Sequence, residues 1–386
     1  MKKSFILILL GLVAFKSTAQ EDNTGIENRV ITTGVPFMLI AADPRAAGMG
    51  DIGVVTSADA FSQQWNPAKY AFSLSKQGVG VTYTPYLSKL VNDIFLGNIT
   101  YYNRLNERSA VGASFRYFSN GEIELRQTAD EEPLLVKPNE LLFDVSYSLR
   151  LSERFAMAVA GRYIRSDLKL QTSVADASAA SSFAVDIAGY YQSEEIPYDD
   201  FDGRWRMGFN ISNIGPKLKY DEVGSESNLP TNLGLGGGFD FILDEYNKVG
   251  VSAQVNKLLV PTPSDSNNDG TINNEDDYYN ESFFGGMFSS FNDAPDGFSE
   301  ELKEFTWALG AEYWYQDVFA FRTGYFNESD VKGSRKFMSF GAGFRYTAIN
   351  IDISYLFSTS KLSNSPLDGT LRFGLTFNFG DTYDEY

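Results

Sequence analysis

The chain of 386 residues contains no cysteine and no histidine. Without cysteine it can form no disulfide and offers no thiol nucleophile. Without histidine, Ser-His and Asp-His catalysis and His-ligated zinc are excluded. No run reaches the roughly 18 apolar residues that a membrane-spanning helix needs. Positive charge is scarce as well, with 32 Lys and Arg against 50 Asp and Glu, a net charge of −18. That balance argues against nucleic acid as a partner. It suits a cell-surface protein whose loops gather divalent cations.

What is plentiful is aromatic and glycine content: 15% aromatic, with 31 Phe, 22 Tyr and 34 Gly. These residues fall into a period-two pattern. Leu371, Phe373, Leu375, Phe377 and Phe379 alternate with Arg372, Gly374, Thr376 and Asn378, which gives a strand one apolar and one polar face. Similar rows recur from Val79, Val81 and Tyr83 onward, fourteen in all, and no helical segments remain to cover them. Lipid is then the covering material. The fold expected is all-β, a 14-stranded antiparallel transmembrane β-barrel with an N-terminal plug segment in the lumen.

The connections agree with this. Links after even-numbered strands are short, as at Leu105-Asn106-Glu107 and Thr347-Ala348. Links after odd-numbered strands are long, near 119–138, 166–180, 213–230, 259–302 and 359–368. Such barrels turn tightly on the periplasmic side and loop out at the surface. Both termini are therefore expected in the periplasm and the long loops outside the cell. Gln192 to Gly203 is an exception, a long link where a short turn belongs. Tyr and Trp at strand ends, among them Tyr101, Tyr102, Tyr190, Tyr191, Trp314 and Tyr346, read as interfacial girdles.

Lys2 and Lys3, the apolar run Phe5 to Phe15 and the small residues Ser17-Thr18-Ala19 read as a secretory leader over residues 1–19. Its removal deletes three lysines and no acid, taking the net charge to −21. Residues 20–74 lack the period-two pattern and read as the plug, a free periplasmic tail being the alternative. The barrel follows over 75–380, with a short periplasmic tail at 381–386. Within the plug, Ser57 to Trp65 is expected to form a short helix stopped by Pro67. Alternation turns Arg116, Arg162, Arg206, Arg322, Arg345 and Arg372 toward the lumen, with Asp144, Asp186 and Asp352. Such mixed charges would hold a plug by ion pairs.

Two features of the longest loop invite partners. Asp265, Asn267, Asp269, Thr271 and Asp276 fall at positions 1, 3, 5, 7 and 12 of a loop with Gly270 at position 6. That spacing wraps oxygens around a structural Ca²⁺; an acidic, Asn-rich loop without an ion is the plainer alternative. Phe283, Phe284, Met287, Phe288, Phe291 and Phe298 then form an apolar group that either caps the barrel mouth or docks a partner. No nucleophile-base pair emerges, so no catalytic residue is assigned and no enzymatic role is expected.

The segment Pro44-Arg45-Ala46-Ala47-Gly48-Met49-Gly50, then Trp65-Asn66-Pro67-Ala68 ahead of fourteen strands, resembles the fatty-acid-transporter-like outer-membrane superfamily. Within it the PorV (LptO) family of the type IX secretion system is the most similar. The resemblance covers essentially the whole mature chain. It implies a non-enzymatic shuttle in the outer membrane of a Gram-negative bacterium. Such a protein would bind C-terminal signal domains of cargo at the translocon barrel and carry them to the sortase and attachment complex at the cell surface. The alternative, from the wider superfamily, is a plugged diffusion channel for hydrophobic small molecules.

Overall fold

The structure is a computed structural model that describes residues 29–383, apart from residue 90 and residues 127–131, 169–177, 221–225, 268–271, 273–275 and 361–366. The leader of residues 1–19 lies outside the described residues, as do 384–386 of the tail.

Fourteen strands form the wall. The first seven are β1 Ser75–Pro85, β2 Ile94–Arg104, β3 Ser109–Asn120, β4 Asn139–Arg150, β5 Phe155–Asp167, β6 Ala180–Gln192 and β7 Asp202–Ile214. The remaining seven are β8 Asn232–Ile242, β9 Asn247–Leu258, β10 Phe305–Tyr315, β11 Phe319–Asn327, β12 Lys336–Tyr346, β13 Ile349–Ser358 and β14 Leu371–Thr382. Each pairs antiparallel with its neighbours in sequence, and β1 pairs with β14, Val81 opposite Leu375. The wall closes on itself. Closure satisfies the backbone groups that an open edge would leave bare in hydrocarbon.

Burial is inverted relative to a water-soluble fold. Phe183 is 68% exposed and Phe321 59%, whereas Arg116, Asp144 and Asp186 are fully covered. In a protein solvated by water on its outside the ranking would run the other way. The alternating rows face outward, the charges inward, and the barrel is a membrane barrel.

The long loops gather at one end of the barrel and the short turns at the other. The exceptional link after β6 is genuine. It folds back on the outer wall, where Tyr198 and Phe201 pack against Phe239 and Phe241. Phe239, in the outward phase, is thereby only 9% exposed. The longest loop also departs from expectation, since it contains short helices at Phe283–Ser289 and Phe298–Glu301. Ser282 caps the first by accepting from Gly285 N at 3.1 Å.

Residues 29–74 run inside the barrel from the long-loop end to the short-turn end. At the first end, Gly34 N donates to Asn228 O at 2.9 Å, and Val35, Phe37 and Met38 pack with Leu96, Phe118, Leu142 and Ile164. Midway, Met49, Ile52, Val54 and Val55 meet Ala308, Phe326, Phe337 and Leu356. Near the other end, Ala68 and Ala71 lie against Ala156, Ala158, Ala188 and Tyr190, and Leu74 O accepts from Tyr383 N at 2.8 Å. The first and last described residues thus stand at opposite ends. The segment threads the lumen from one end to the other; residues 20–28, which precede it, lie outside the described residues.

Ser57 to Trp65 is not one helix. Only Ser62–Trp65 is helical. Asp59 accepts from Phe61 N at 2.9 Å and Ser62 Oγ at 3.1 Å, a local turn that competes with helix upstream. Asn66, extended at φ −164°, then caps a new 3-10 turn over Pro67–Phe72.

Candidate functional site

The two plug motifs clasp each other before they meet the wall. Asp43 caps the turn Pro44–Ala47 by accepting from Ala46 N at 2.8 Å, and its other oxygen accepts from the Trp65 indole at 2.5 Å. Gln64 accepts from Ala42 N and donates to Ile40 O. Asn66 Nδ2 reaches Val54 O and, on β6, Gly189 O, both at 3.0 Å. Small residues set how closely this knot approaches the strands. A Cβ on Gly324 of β11 would fall 2.0 Å from the Met49 carbonyl carbon. Gly50 turns the chain there at φ +74°, a region that favours glycine.

A belt of buried charge surrounds the knot. Arg45, in the first motif, sends Nε and Nη2 to the two oxygens of Glu312 on β10, at 3.0 and 2.8 Å, and Nη1 to Asp59 at 2.9 Å. Glu312 also accepts from Arg322 on β11 at 2.6 Å, and Arg322 reaches Asp352 on β13 at 2.6 Å. On other strands Arg162 pairs with Asp186 and Arg206 with Asp240. Arg116 donates to Met38 O at 3.2 Å and Arg372 to Ala41 O at 3.1 Å. Arg345 lies over the Trp314 ring instead, 4.5 Å from its centroid. Lys69 is 1% exposed and donates to Gly53 O and Thr56 Oγ1 at 2.8 and 2.9 Å. Burial pulls its pKa down to about 8. Forked Arg-carboxylate bonds in a site sheltered from water fix orientation as well as charge. The belt therefore positions the plug.

A second ionic cluster sits at the long-loop end. Lys332 Nζ bridges Glu300 and Glu304 at 2.7 and 2.9 Å, and Lys257 Nζ bridges Glu301 and Glu304, both at 2.7 Å. Arg29 of the threaded segment joins Glu300 at 3.1 Å and Asp296 at 3.2 Å. The longest loop carries no cation between Leu258 and Leu302, so its acids borrow three from elsewhere in the chain. Asp293, Glu301 and Glu304 converge closely enough to hold a metal. Asp293 Oδ2, Glu301 Oε1 and both oxygens of Glu304, however, already accept from Thr262 and the two lysines. This cluster is an ionic latch between loop, wall and plug. Sequence reading missed it because Lys257 falls in the outward phase of β9, which assigns it to lipid. Glu301, Glu304 and the rings of Phe291 and Phe305 cover it instead.

Of the six apolar loop residues, Phe284, Phe288, Phe291 and Phe298 are exposed, at 56, 75, 45 and 75%, while Phe283 and Met287 are half-buried. Phe284 and Phe288 stand one turn apart on one helical face. The rings of Phe283 and Phe284 meet at a tilt, with centroids 4.2 Å apart. Four of the six side chains are thus open to solvent. Asp269 and Thr271 of the calcium-type loop lie outside the described residues. Its two ends meet where buried Asp276 accepts from Ser266 N at 2.8 Å. Asp265 and Asn267 stand beside Ser266 and are not buried.

Residues 23–265 match the family described as Type IX secretion system protein PorV. Among solved structures, the CymD monoaromatic hydrocarbon channel is 13% identical over 88% of this chain and 98% of its own, with a TM-score of 0.51. A Pseudomonas aeruginosa FadL homologue is 12% identical over 92% and 100%, TM-score 0.46. The Pseudomonas putida toluene transporter TodX is 12% identical over 88% and 98%, TM-score 0.49. At 13% identity the CymD structure speaks for the barrel fold alone. No curated protein matches the chain.

Proposed function

Because the chain belongs to the PorV family of type IX secretion proteins, we propose that it is a non-enzymatic outer-membrane component that binds C-terminal signal domains of cargo. It receives them at the translocon barrel and carries them to the sortase-containing attachment complex. The long loops face the exterior and the short turns the periplasm. The observation that carries the docking role is the exposed aromatic group Phe284, Phe288, Phe291 and Phe298 on the longest loop. Aromatic side chains held open to solvent on a surface otherwise acidic form the apolar core, with a charged rim, that protein interfaces use. The latch of Lys257, Lys332 and Arg29 holds that surface in place. A Ca²⁺ bound by the 265–276 loop would stiffen the same loop.

The test is capture from detergent-solubilised outer membranes. The tagged protein is expected to bring down translocon and secreted cargo, and a Phe284→Ser/Phe288→Ser variant to bring down neither while folding normally. Capture unchanged in that variant would remove the docking surface from the account.

A further inference from the structure

Between the plug and the outer loops the lumen keeps a cavity of about 680 Å³, within the ~300–1,000 Å³ span of small-molecule sites. Its walls differ in chemistry. One is aromatic and aliphatic, built by Phe37, Ile40, Tyr86 and Phe118. The other belongs to β7 through β10 and presents Asn210, Ser212, Asn232, Asn256 and Thr306, uncharged groups that both give and take hydrogen bonds. Gly234 pairs with Asn210 on one side and Asn256 on the other. A Cβ there would stand 3.0 Å from Asn256 Oδ1, so glycine keeps the amide wall open.

Asn210 gives the wall its selectivity. It is 4% exposed, and its Nδ2 donates to Trp65 O at 2.8 Å, but its Oδ1 has no partner among the described residues. A buried acceptor without a donor is costly, and a ligand bearing O–H or N–H relieves that cost. The charged lining offers an anion little, since Lys332 is bound to Glu300 and Glu304, Arg335 to Glu328 and Arg162 to Asp186. Hydrocarbon would have to strip water from the amide wall without replacing its hydrogen bonds.

We propose that this cavity binds a neutral saccharide-type ligand, its hydroxyl edge on the amide wall and its apolar face on the aromatic one. The site is independent of the secretion reading and stands or falls by itself. The test uses the full-length protein in lipid nanodiscs, titrated calorimetrically with phenyl β-D-glucopyranoside, with toluene and laurate as rival probes. The glycoside is expected to bind, neither rival to displace it, and Asn210→Leu to weaken it by about tenfold. Gly234→Val, which fills the gap between the amides, provides a second route to the same loss should Asn210→Leu fold poorly. Displacement by toluene or laurate would make the cavity a hydrophobic-ligand site. Absence of glycoside binding, or equal affinity in both variants, would likewise overturn the proposal.

Discussion

Arg45 and Glu312 are 267 positions apart in the chain and meet through two parallel hydrogen bonds, Nε to Oε2 at 3.0 Å and Nη2 to Oε1 at 2.8 Å. One lies in the threaded segment and the other on β10, so the pair fastens plug to wall. Removing Arg45 leaves Glu312 with Arg322 alone; breaking a buried pair typically costs about 3–5 kcal/mol. Arg45→Ala is expected to release the plug to protease at urea concentrations where the wild type resists. Arg45→Lys, which keeps the charge and loses the fork, should fall between them. Equal resistance in all three proteins would show that the plug is held by packing alone.

The ionic latch makes a separate forecast. Lys332→Met leaves Glu300 with Arg29 and Glu304 with Lys257, one of the two cations each carboxylate now holds. The expected result is protease cleavage within 259–304 at rates well above wild type, with the barrel itself intact. Wild-type cleavage kinetics would mean that the loop is fixed by other contacts.

Lys69 supplies a pH dependence whose sign is fixed by its depressed pKa. Burial lowers it to about 8, against roughly 10.4 in an unfolded chain. Between those values the released segment binds a proton that the packed one does not, so stability rises with pH across the window from 8 to about 10.4 and is lost as pH falls through it. The urea midpoint for plug release should climb over that interval in the wild type and stay flatter in Lys69→Met. Parallel profiles would show that Lys69 is charged in the barrel.

The calcium-type loop is tested by protection. Millimolar Ca²⁺ should slow proteolysis between Asp265 and Asp276, and Asp269→Ala should abolish the effect. Identical cleavage with and without the ion in the wild type would leave an acidic loop and no site.

The wall was legible in the sequence because lipid enforces strict alternation, and a strand misplaced by one residue would put Arg162 or Asp186 in hydrocarbon. Thus the lumenal arginines could be named from period alone. Glu312 obeys the same period, yet nothing local marks it as the partner of Arg45; such pairing depends on how the plug is threaded. The latch was illegible for a related reason. Lys257 sits where a strand end meets a loop, and there the loop, not the bilayer, decides which face is covered. The path of residues 29–74 has no periodic signature, since each contact is made with a different strand.

The most direct test of the account is binding between the purified protein in detergent and a purified C-terminal signal domain of secreted cargo. The account predicts a stable complex on size exclusion, lost in Phe284→Ser/Phe288→Ser and indifferent to removal of the rest of the cargo. A protein that never co-migrates with any such domain, while its deletion abolishes uptake of hydrophobic small molecules, would contradict it.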